Sequence, residues 1–191
     1  LGGRAVALDA SRDVLVNVNA LGQPVPTARF MGGREMEEIM GGRIGEPVES
    51  DLRGVLEGRV MAMPSLHPAT GPFPGKRFGW IGGEPDGGER MVAASFYAAL
   101  MGAECLSLVG AKGPVIVEGA FGGNLAFLRM LATATERVVR GAGQGAGTGL
   151  GAALLAGPLQ AKGSVALEVM PETDPVWTGY VSVWREAVAR W

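Results

Sequence analysis

The apolar and polar positions of the first 90 residues alternate with two different periods. VLVNVN at 14–19 alternates with a period of two, which is typical of a strand, and the turn ALGQPVP follows it. REMEEIM at 34–40 predicts a short helix between two pairs of glycines. Residues 42–60 fit neither period clearly. The segment 64–88 is rich in proline and glycine, so we expect a long loop or a set of turns there.

The longest predicted element is a helix over 89–110. Its apolar side chains cover most of two helix faces, so we expect this helix to be largely buried. The terminal segment carries an aromatic stripe at helical spacing, which we interpret as packing: Trp177, Tyr180, Trp184 and Val188. Between them the pattern predicts a strand at 115–118 covered on both faces, a helix at 124–135, a strand at 137–139 and a helix at 148–157. This alternation of strands and helices predicts an α/β fold.

Composition and charge narrow the class of protein. The 191 residues are 47% hydrophobic and 19% charged, which fits one globular domain or one lobe of a larger protein. A net charge of −2 argues against a nucleic-acid surface. No apolar run reaches the roughly 20 residues of a membrane helix. Cys105, the single cysteine, cannot form an internal disulfide, so we expect a cytoplasmic protein. Because the chain lacks an initiator Met, we expect a fragment.

Most familiar nucleotide-binding and catalytic motifs are absent from the sequence. GAGQGAGTGLG at 141–151 does not have the spacing of the dinucleotide motif GxGxxG, and Glu168, its nearest acidic partner, lies outside a convincing strand. A dinucleotide-binding domain is therefore the weaker hypothesis. No P-loop and no GxSxG elbow occur. The single histidine, His67, is interpreted as an ordinary loop residue.

The stretch VIVEGAFGGN at 115–124 remains as a candidate ligand site. A strand that turns directly into a helix offers unpaired backbone N–H groups and the positive end of the helix dipole. Glycines at 119, 122 and 123 would let a flat purine or a phosphate approach the main chain closely. Asn124 is placed to cap the helix or to bind a ligand. A tight turn with an Asn cap fits the spacing equally well, so both interpretations stay open.

Four segments, in order along nearly the whole chain, resemble the C-terminal half of the FGGY carbohydrate kinases. That family belongs to the superfamily of actin-like, hexokinase and Hsp70 ATPases. The similar segments are DVLVNVNALGQPVPTARFMGGREMEE, GERMVAASFYAALMGAECL, VIVEGAFGGNLAFLRMLA and GTGLGAALLAG. The resemblance implies a ribonuclease H-like ATPase lobe, with a mixed sheet flanked by helices.

The resemblance also implies which residues meet the nucleotide. The family's adenosine-binding turn corresponds to Gly119, Ala120 and Asn124, with Ala120 where the family has its second glycine. Gly32 and Met36 correspond to the other wall of the adenine pocket, although Met36 fits plain core packing as well.

Two further features of the resemblance concern the ends of the chain. Thr148 and Gly149 begin the last glycine-rich helix, which we expect to pack beside the nucleotide with Thr148 as its cap. The family's catalytic Asp and its Gly-Thr-rich phosphate loop have no counterpart in LGGRAVALDASRD, and Asp9 and Asp13 receive no role.

Together these features predict that residues 1–191 are the C-terminal nucleotide-binding lobe of a two-lobed sugar kinase. The N-terminal lobe of the same protein would bind the sugar, and ATP and Mg²⁺ would be required. The resemblance implies a ketopentose or deoxyketohexose substrate, such as xylulose, ribulose, fuculose or rhamnulose, and allows a homodimer. The segment 64–88 would be a cleft rim, an oligomer contact or a solvent-covering loop. The alternative is a non-catalytic nucleotide-binding or interaction domain on the same scaffold.

Overall fold

Short strands and helices surround one long central helix. The computed structural model describes residues 6–43, 45–142, 151–153, 155, 157 and 165–191. The strands are β1 (Val14–Val18), β2 (Pro24–Ala28), β3 (Met61–Met63), β4 (Gly79–Ile81), β5 (Val115–Val117), β6 (Val139–Ala142) and β7 (Val165–Val169). The helices are α1 (Gly32–Met40), α2 (Glu49–Gly58), α3 (Gly87–Leu108), α4 (Leu125–Thr135) and α5 (Pro175–Arg190).

The central helix α3 forms the middle of the hydrophobic core. Phe96, Leu100 and Met101 are at most 1% exposed, and α1, α2 and α4 all pack against α3. Its 22 residues are apolar enough to cross a membrane by length and composition, but 67% of the most apolar window is buried inside the fold. Core helices meet the same criteria, so burial among its neighbours accounts for the apolar sequence of α3. The predicted burial of this helix is confirmed.

The aromatic stripe of α5 is buried against the rest of the core, as predicted. Trp177 and Tyr180 both pack against the ring of Phe96 on α3. The polar ends of two stripe residues are satisfied by the backbone next to α2, because Tyr180 donates to Val60 O and Trp184 Nε1 donates to Ala62 O. These hydrogen bonds fix α5 to β3.

The described residues form three small sheets rather than one large one. β1 and β2 form an antiparallel hairpin, and so do β3 and β4. The third sheet has the order β5-β6-β7, with β5 parallel to β6 and β7 antiparallel to β6. This sheet is the predicted mixed sheet. Helix α4 follows β5 and precedes β6 in the chain. It contacts β6, so this sheet packs against α4.

Several sequence-based predictions need correction. Strand 115–118 is not covered on both faces, because Val115 and Val117 of β5 are buried whereas Ile116, on the opposite face, is 68% exposed. Segment 64–88 is not only loop, since it holds β4 and the start of α3. The predicted strand 137–139 begins two residues later, and Glu168 does lie in a strand, opposite Arg140. The strands β4, β6 and β7 form by pairing with strands that are distant in the chain. A local sequence pattern does not indicate which strands pair.

Two predicted regions have other outcomes. The ambiguous segment 42–60 contains α2, whose buried side chains Leu52, Val55 and Leu56 form one helix face. The predicted helix 148–157 lies only in part within the described residues, and Thr148 and Gly149 lie outside them.

Candidate functional site

The turn between β5 and α4 brings a strand end and a helix start together within a few residues. Gly119–Gly123 form one short 3₁₀ turn, and α4 begins at Leu125. The ring of Phe121 stacks on Phe127, with 4.6 Å between ring centroids, so the turn is attached to the first turn of α4. Gly119 has a φ of +76°, a conformation that side-chain-bearing residues rarely adopt. The sequence therefore fixes a compact turn at the predicted place.

Asn124 caps α4 and at the same time contacts α3. Its Oδ1 accepts a hydrogen bond from Phe127 N–H at 3.0 Å, which satisfies one of the free N–H groups of the helix. Its Nδ2 donates to Ser95 Oγ at 2.9 Å. Ser95 is fully buried on α3 and donates its own hydroxyl proton to Met91 O at 2.7 Å. Asn124 as a residue is partly exposed at the start of α4.

The glycines of the turn differ in what surrounds them, and this difference tests whether a nucleotide fits. A Cβ on Gly122 would collide with Ala142 O, so this glycine is needed for packing against β6. A Cβ on Gly119 or Gly123 would meet nothing within 4 Å. Together with the exposed Ala120, these positions leave the main chain of the turn open to the surface. Glycine backbone without a neighbouring side chain allows the close approach that the predicted adenosine contact requires.

The predicted second wall lies on α1. Gly32 is the first residue of α1, and the ring of Phe30 lies 2.9 Å from where a Cβ of residue 32 would be. Met36 packs partly against the core and lines a cavity of about 300 Å³ together with Met40, Arg43 and Met91. Met36 therefore has a core-packing role and also faces open space.

Helix α3 connects the two predicted walls. Met36 shares its cavity with Met91, while Asn124 is bonded to Ser95. Met91 and Ser95 are four residues apart and lie on the same face of α3. The residues predicted for the two walls therefore both neighbour the same turn of α3, at Met91 and at Ser95. The sequence reasoning missed Met91 and Ser95. A small hydroxyl side chain between apolar neighbours in the middle of a buried helix is the signal that could have revealed Ser95.

The comparison with protein families decides what this arrangement belongs to. The family model of the C-terminal domain of the carbohydrate kinase FGGY matches residues 1–164. The chain belongs to the FGGY family of carbohydrate kinases. The resemblance inferred from the four sequence segments is therefore confirmed. A search of curated proteins gave no match.

Solved FGGY structures agree with this assignment. A carbohydrate kinase from Novosphingobium aromaticivorans superposes with a TM-score of 0.81 at 33% identity, and the match covers 96% of this chain and 41% of that one. A xylulose kinase from Rhodospirillum rubrum gives a TM-score of 0.66 at 13% identity, over 96% of this chain and 43% of that one, which shows a shared fold. The predicted actin- and hexokinase-like α/β fold is confirmed. The chain spans less than half the length of either structure.

A buried polar pair lies behind the α1 wall of this FGGY chain, and the sequence reasoning did not identify it. Glu35 is fully buried next to Met36, and Tyr97 on α3 donates its hydroxyl proton to Glu35 Oε2 at 2.6 Å. No donor among the described residues reaches Glu35 Oε1. Burial raises the pKa of Glu35, while Tyr97 and His67 lower this pKa and Glu38 raises it. The pair holds α1 against α3 close to the predicted nucleotide wall.

The other ionisable side chains that the sequence analysis considered either contact neighbouring side chains or are buried. Asp9 caps a 3₁₀ turn by accepting from Ser11, and this contact lowers the pKa of Asp9. Asp13 lies 2.7 Å from Arg29 Nε. His67 Nε2 lies 3.2 Å from Glu38 Oε1. Burial raises the pKa of the Cys105 thiol to about 12, so this thiol is a poor nucleophile.

Proposed function

We propose that this chain is the nucleotide-side, C-terminal lobe of a two-lobed kinase that phosphorylates a sugar hydroxyl with ATP. The observation that carries the proposal is the β5–α4 turn of an FGGY family chain, where an open glycine backbone lies beside a half-buried Asn124. Gly119, Ala120 and Asn124 form one side of the adenosine pocket. Gly32 and Met36 form the other side across α3.

The role of this chain in the reaction is to bind and orient the nucleotide. ATP supplies the γ-phosphoryl group, and its transfer depends mainly on positioning and on charge stabilisation. The backbone of the turn holds the base, and the core formed by α3 and α4 keeps the turn rigid. The catalytic Asp of the family resemblance belongs to the remainder of the protein, where it takes the proton of the sugar hydroxyl. No residue of this chain is assigned to that step.

Mg²⁺ is proposed as a companion of the ATP phosphates, as is usual for nucleotide-dependent phosphoryl transfer. Within the described ranges, no group of three or more His, Cys, Asp or Glu side chains is placed to hold a metal ion. No residue of this chain is assigned to it.

The proposed sugar, partner lobe, cellular location and assembly are based on the family and on the sequence. We take a ketopentose or deoxyketohexose, such as xylulose, ribulose, fuculose or rhamnulose, as the sugar. Xylulose is the first choice because the structure of a xylulose kinase shares this fold. The chain covers 41% of the FGGY structure from Novosphingobium aromaticivorans, which supports a further lobe as its partner. We place the enzyme in the cytoplasm, and a homodimer is a possible assembly.

The test uses the full-length protein that carries this chain. ATP-dependent phosphorylation is measured by ADP release with each of the four sugars, and binding of ATP, ADP and NAD is measured by calorimetry. The deciding variant is Asn124→Asp, which keeps an acceptor for Phe127 N–H but has no N–H to donate. We expect the KM for ATP to rise about 10-fold or more, because a donor is lost and a negative charge is added. The helix cap itself should be kept, because Asp and Asn cap helices about equally well, and thermal unfolding measures the cost of losing the bond to the buried Ser95 Oγ.

Asp174→Asn is the matched control, since Asp174 caps α5 by accepting from Val176 N–H. This variant exchanges the same two residue types at a helix cap outside the proposed site, and its KM for ATP should equal that of the wild type. Binding of ATP without transfer to any sugar would favour the non-catalytic nucleotide-binding domain. Tight NAD binding that ignores Asn124→Asp would contradict the proposed function.

A further inference from the structure

Asn124 is held by two hydrogen bonds whose directions are both fixed. Phe127 N–H can only donate, so the atom of the Asn124 amide that faces it must be the oxygen. With the oxygen facing Phe127, the nitrogen of the amide faces Ser95 Oγ and can only donate to it. Ser95 Oγ therefore accepts from Asn124, and its own single proton goes to Met91 O at 2.7 Å.

A rotated amide would lose the contact with Phe127 N–H, and Ser95 could bond to it only by giving up its own bond to Met91 O. The oxygen of Asn124 would face the lone pairs of Ser95 Oγ, and the NH₂ group would face Phe127 N–H. Ser95 is fully buried, so water cannot take over either role at this position. The two contacts together leave the amide one orientation. In that orientation, the second hydrogen of Nδ2 is the one donor that the two contacts leave free.

Ser95 does not belong to the nucleotide turn itself. It lies on α3, 29 residues before Asn124, and α3 packs against α4 over much of its length. Met91, its other hydrogen-bonding partner, lines the cavity that also contains Met36. Ser95 is thus bonded to a residue of one proposed wall and to the backbone of a residue beside the other.

We propose that Ser95 is a positioning residue for nucleotide recognition. Its hydroxyl fixes the orientation of the Asn124 amide, so that Nδ2 donates to an acceptor atom of the bound nucleoside. The proposal rests on the proposed function, because it requires that Asn124 contacts the nucleotide. It assigns to Ser95 an effect on nucleotide affinity that is transmitted through Asn124 alone.

The experiment is a double-mutant cycle on the full-length protein, with steady-state kinetics in ATP and with thermal unfolding. Ser95→Ala removes the acceptor of Asn124 Nδ2, so that only the contact with Phe127 N–H still holds the Asn124 amide. We expect the KM for ATP to rise about 3- to 10-fold, the effect of one net hydrogen bond, with kcat within about 2-fold of the wild type. In the Asn124→Asp background, Ser95→Ala should change the KM by less than about 2-fold, because a carboxylate has two equivalent oxygens and no orientation to fix.

Thr133→Val is the matched control for the loss of a buried hydroxyl. Thr133 is 4% exposed, donates to Arg129 O and accepts from Glu172 N–H, far along α4 from the turn. This variant should lower the melting temperature without changing the KM for ATP. A merely structural role of Ser95 would give the same result for Ser95→Ala.

The outcomes separate this inference from the proposed function. A wild type that binds ATP, with an unchanged KM in Ser95→Ala, overturns the role of Ser95 and leaves the kinase assignment intact. An effect of Ser95→Ala that persists in full in the Asn124→Asp background also overturns it, since the effect would not pass through Asn124. A wild type that binds no adenine nucleotide overturns the proposed function, and the role of Ser95 with it.

Discussion

Two neighbouring glycines of the β5–α4 turn should respond in opposite ways to the same substitution. A Cβ on Gly122 would collide with Ala142 O and lie 3.1 Å from Val117 O, and both atoms belong to strand backbone that cannot rotate away. Overpacking of this kind costs about 1–3 kcal/mol. A Cβ on Gly123 would meet nothing within 4 Å, and Gly123 does not have a positive φ. Gly123→Ala should therefore stabilise the fold by about 0.4–1 kcal/mol through the unfolded chain.

Thermal unfolding of both variants beside the wild type is the assay. For a domain of this size, 1 kcal/mol shifts the melting temperature by about 2–4 °C, so Gly122→Ala should lower it by roughly 2–12 °C. Gly123→Ala should leave the melting temperature unchanged or raise it slightly. If the nucleotide lies against the open face of the turn, Gly123→Ala should also raise the KM for ATP. Equal melting temperatures for the two variants would refute the assignment of Gly122 to packing and of Gly123 to the open face.

Two further predictions concern the core. Trp184→Phe leaves Ala62 O without its donor and creates a cavity, so we expect a loss of about 2–3 kcal/mol in denaturant unfolding, whereas Trp191→Phe, at a position 44% exposed, should cost far less. Equal losses would contradict this. Burial raises the pKa of Glu35 above its ordinary 4.5, so the native state binds the proton more tightly than the unfolded chain does. Its contribution to stability is present below about pH 4.5 and is lost as the pH rises through the raised pKa. Glu35→Gln should remove this part of the pH dependence of stability, whereas Glu37→Gln, at an exposed position, should not. A plot of unfolding free energy against pH that runs parallel for Glu35→Gln and the wild type would contradict this role of Glu35.

Local pattern was enough to predict the elements that depend on near neighbours in the chain. The burial of α3 follows from its nearly continuous apolar sequence, and the aromatic spacing of α5 predicts its buried stripe. The start of α4 follows from Asn124, whose cap contact spans only three residues. Each of these features depends on contacts within one or two helical turns, which a periodic sequence reports directly.

Contacts between distant residues were not predictable in the same way. β5 has the apolar sequence of a strand covered on both faces, yet the face that carries Ile116 is open to solvent, and among the described residues β5 pairs with β6 alone. In the candidate site, the sequence predicted the turn and Asn124 but not Ser95. It also did not predict that Tyr97 would reach the buried Glu35, 62 residues away. The chain-distant partner decides such contacts, and periodicity carries no information about that partner.

The sequence by itself determined the family, the α/β class, the long buried helix and the place of the glycine turn, because these depend on composition, local period and residue order. Only the tertiary structure decided what each residue of the turn does. Gly122 packs against β6, Gly119 and Gly123 face open space, and the amide of Asn124 is oriented by Ser95. The physical reason is that a glycine or an asparagine can have several roles in a turn. The contacts that it makes in the folded chain determine which role it has.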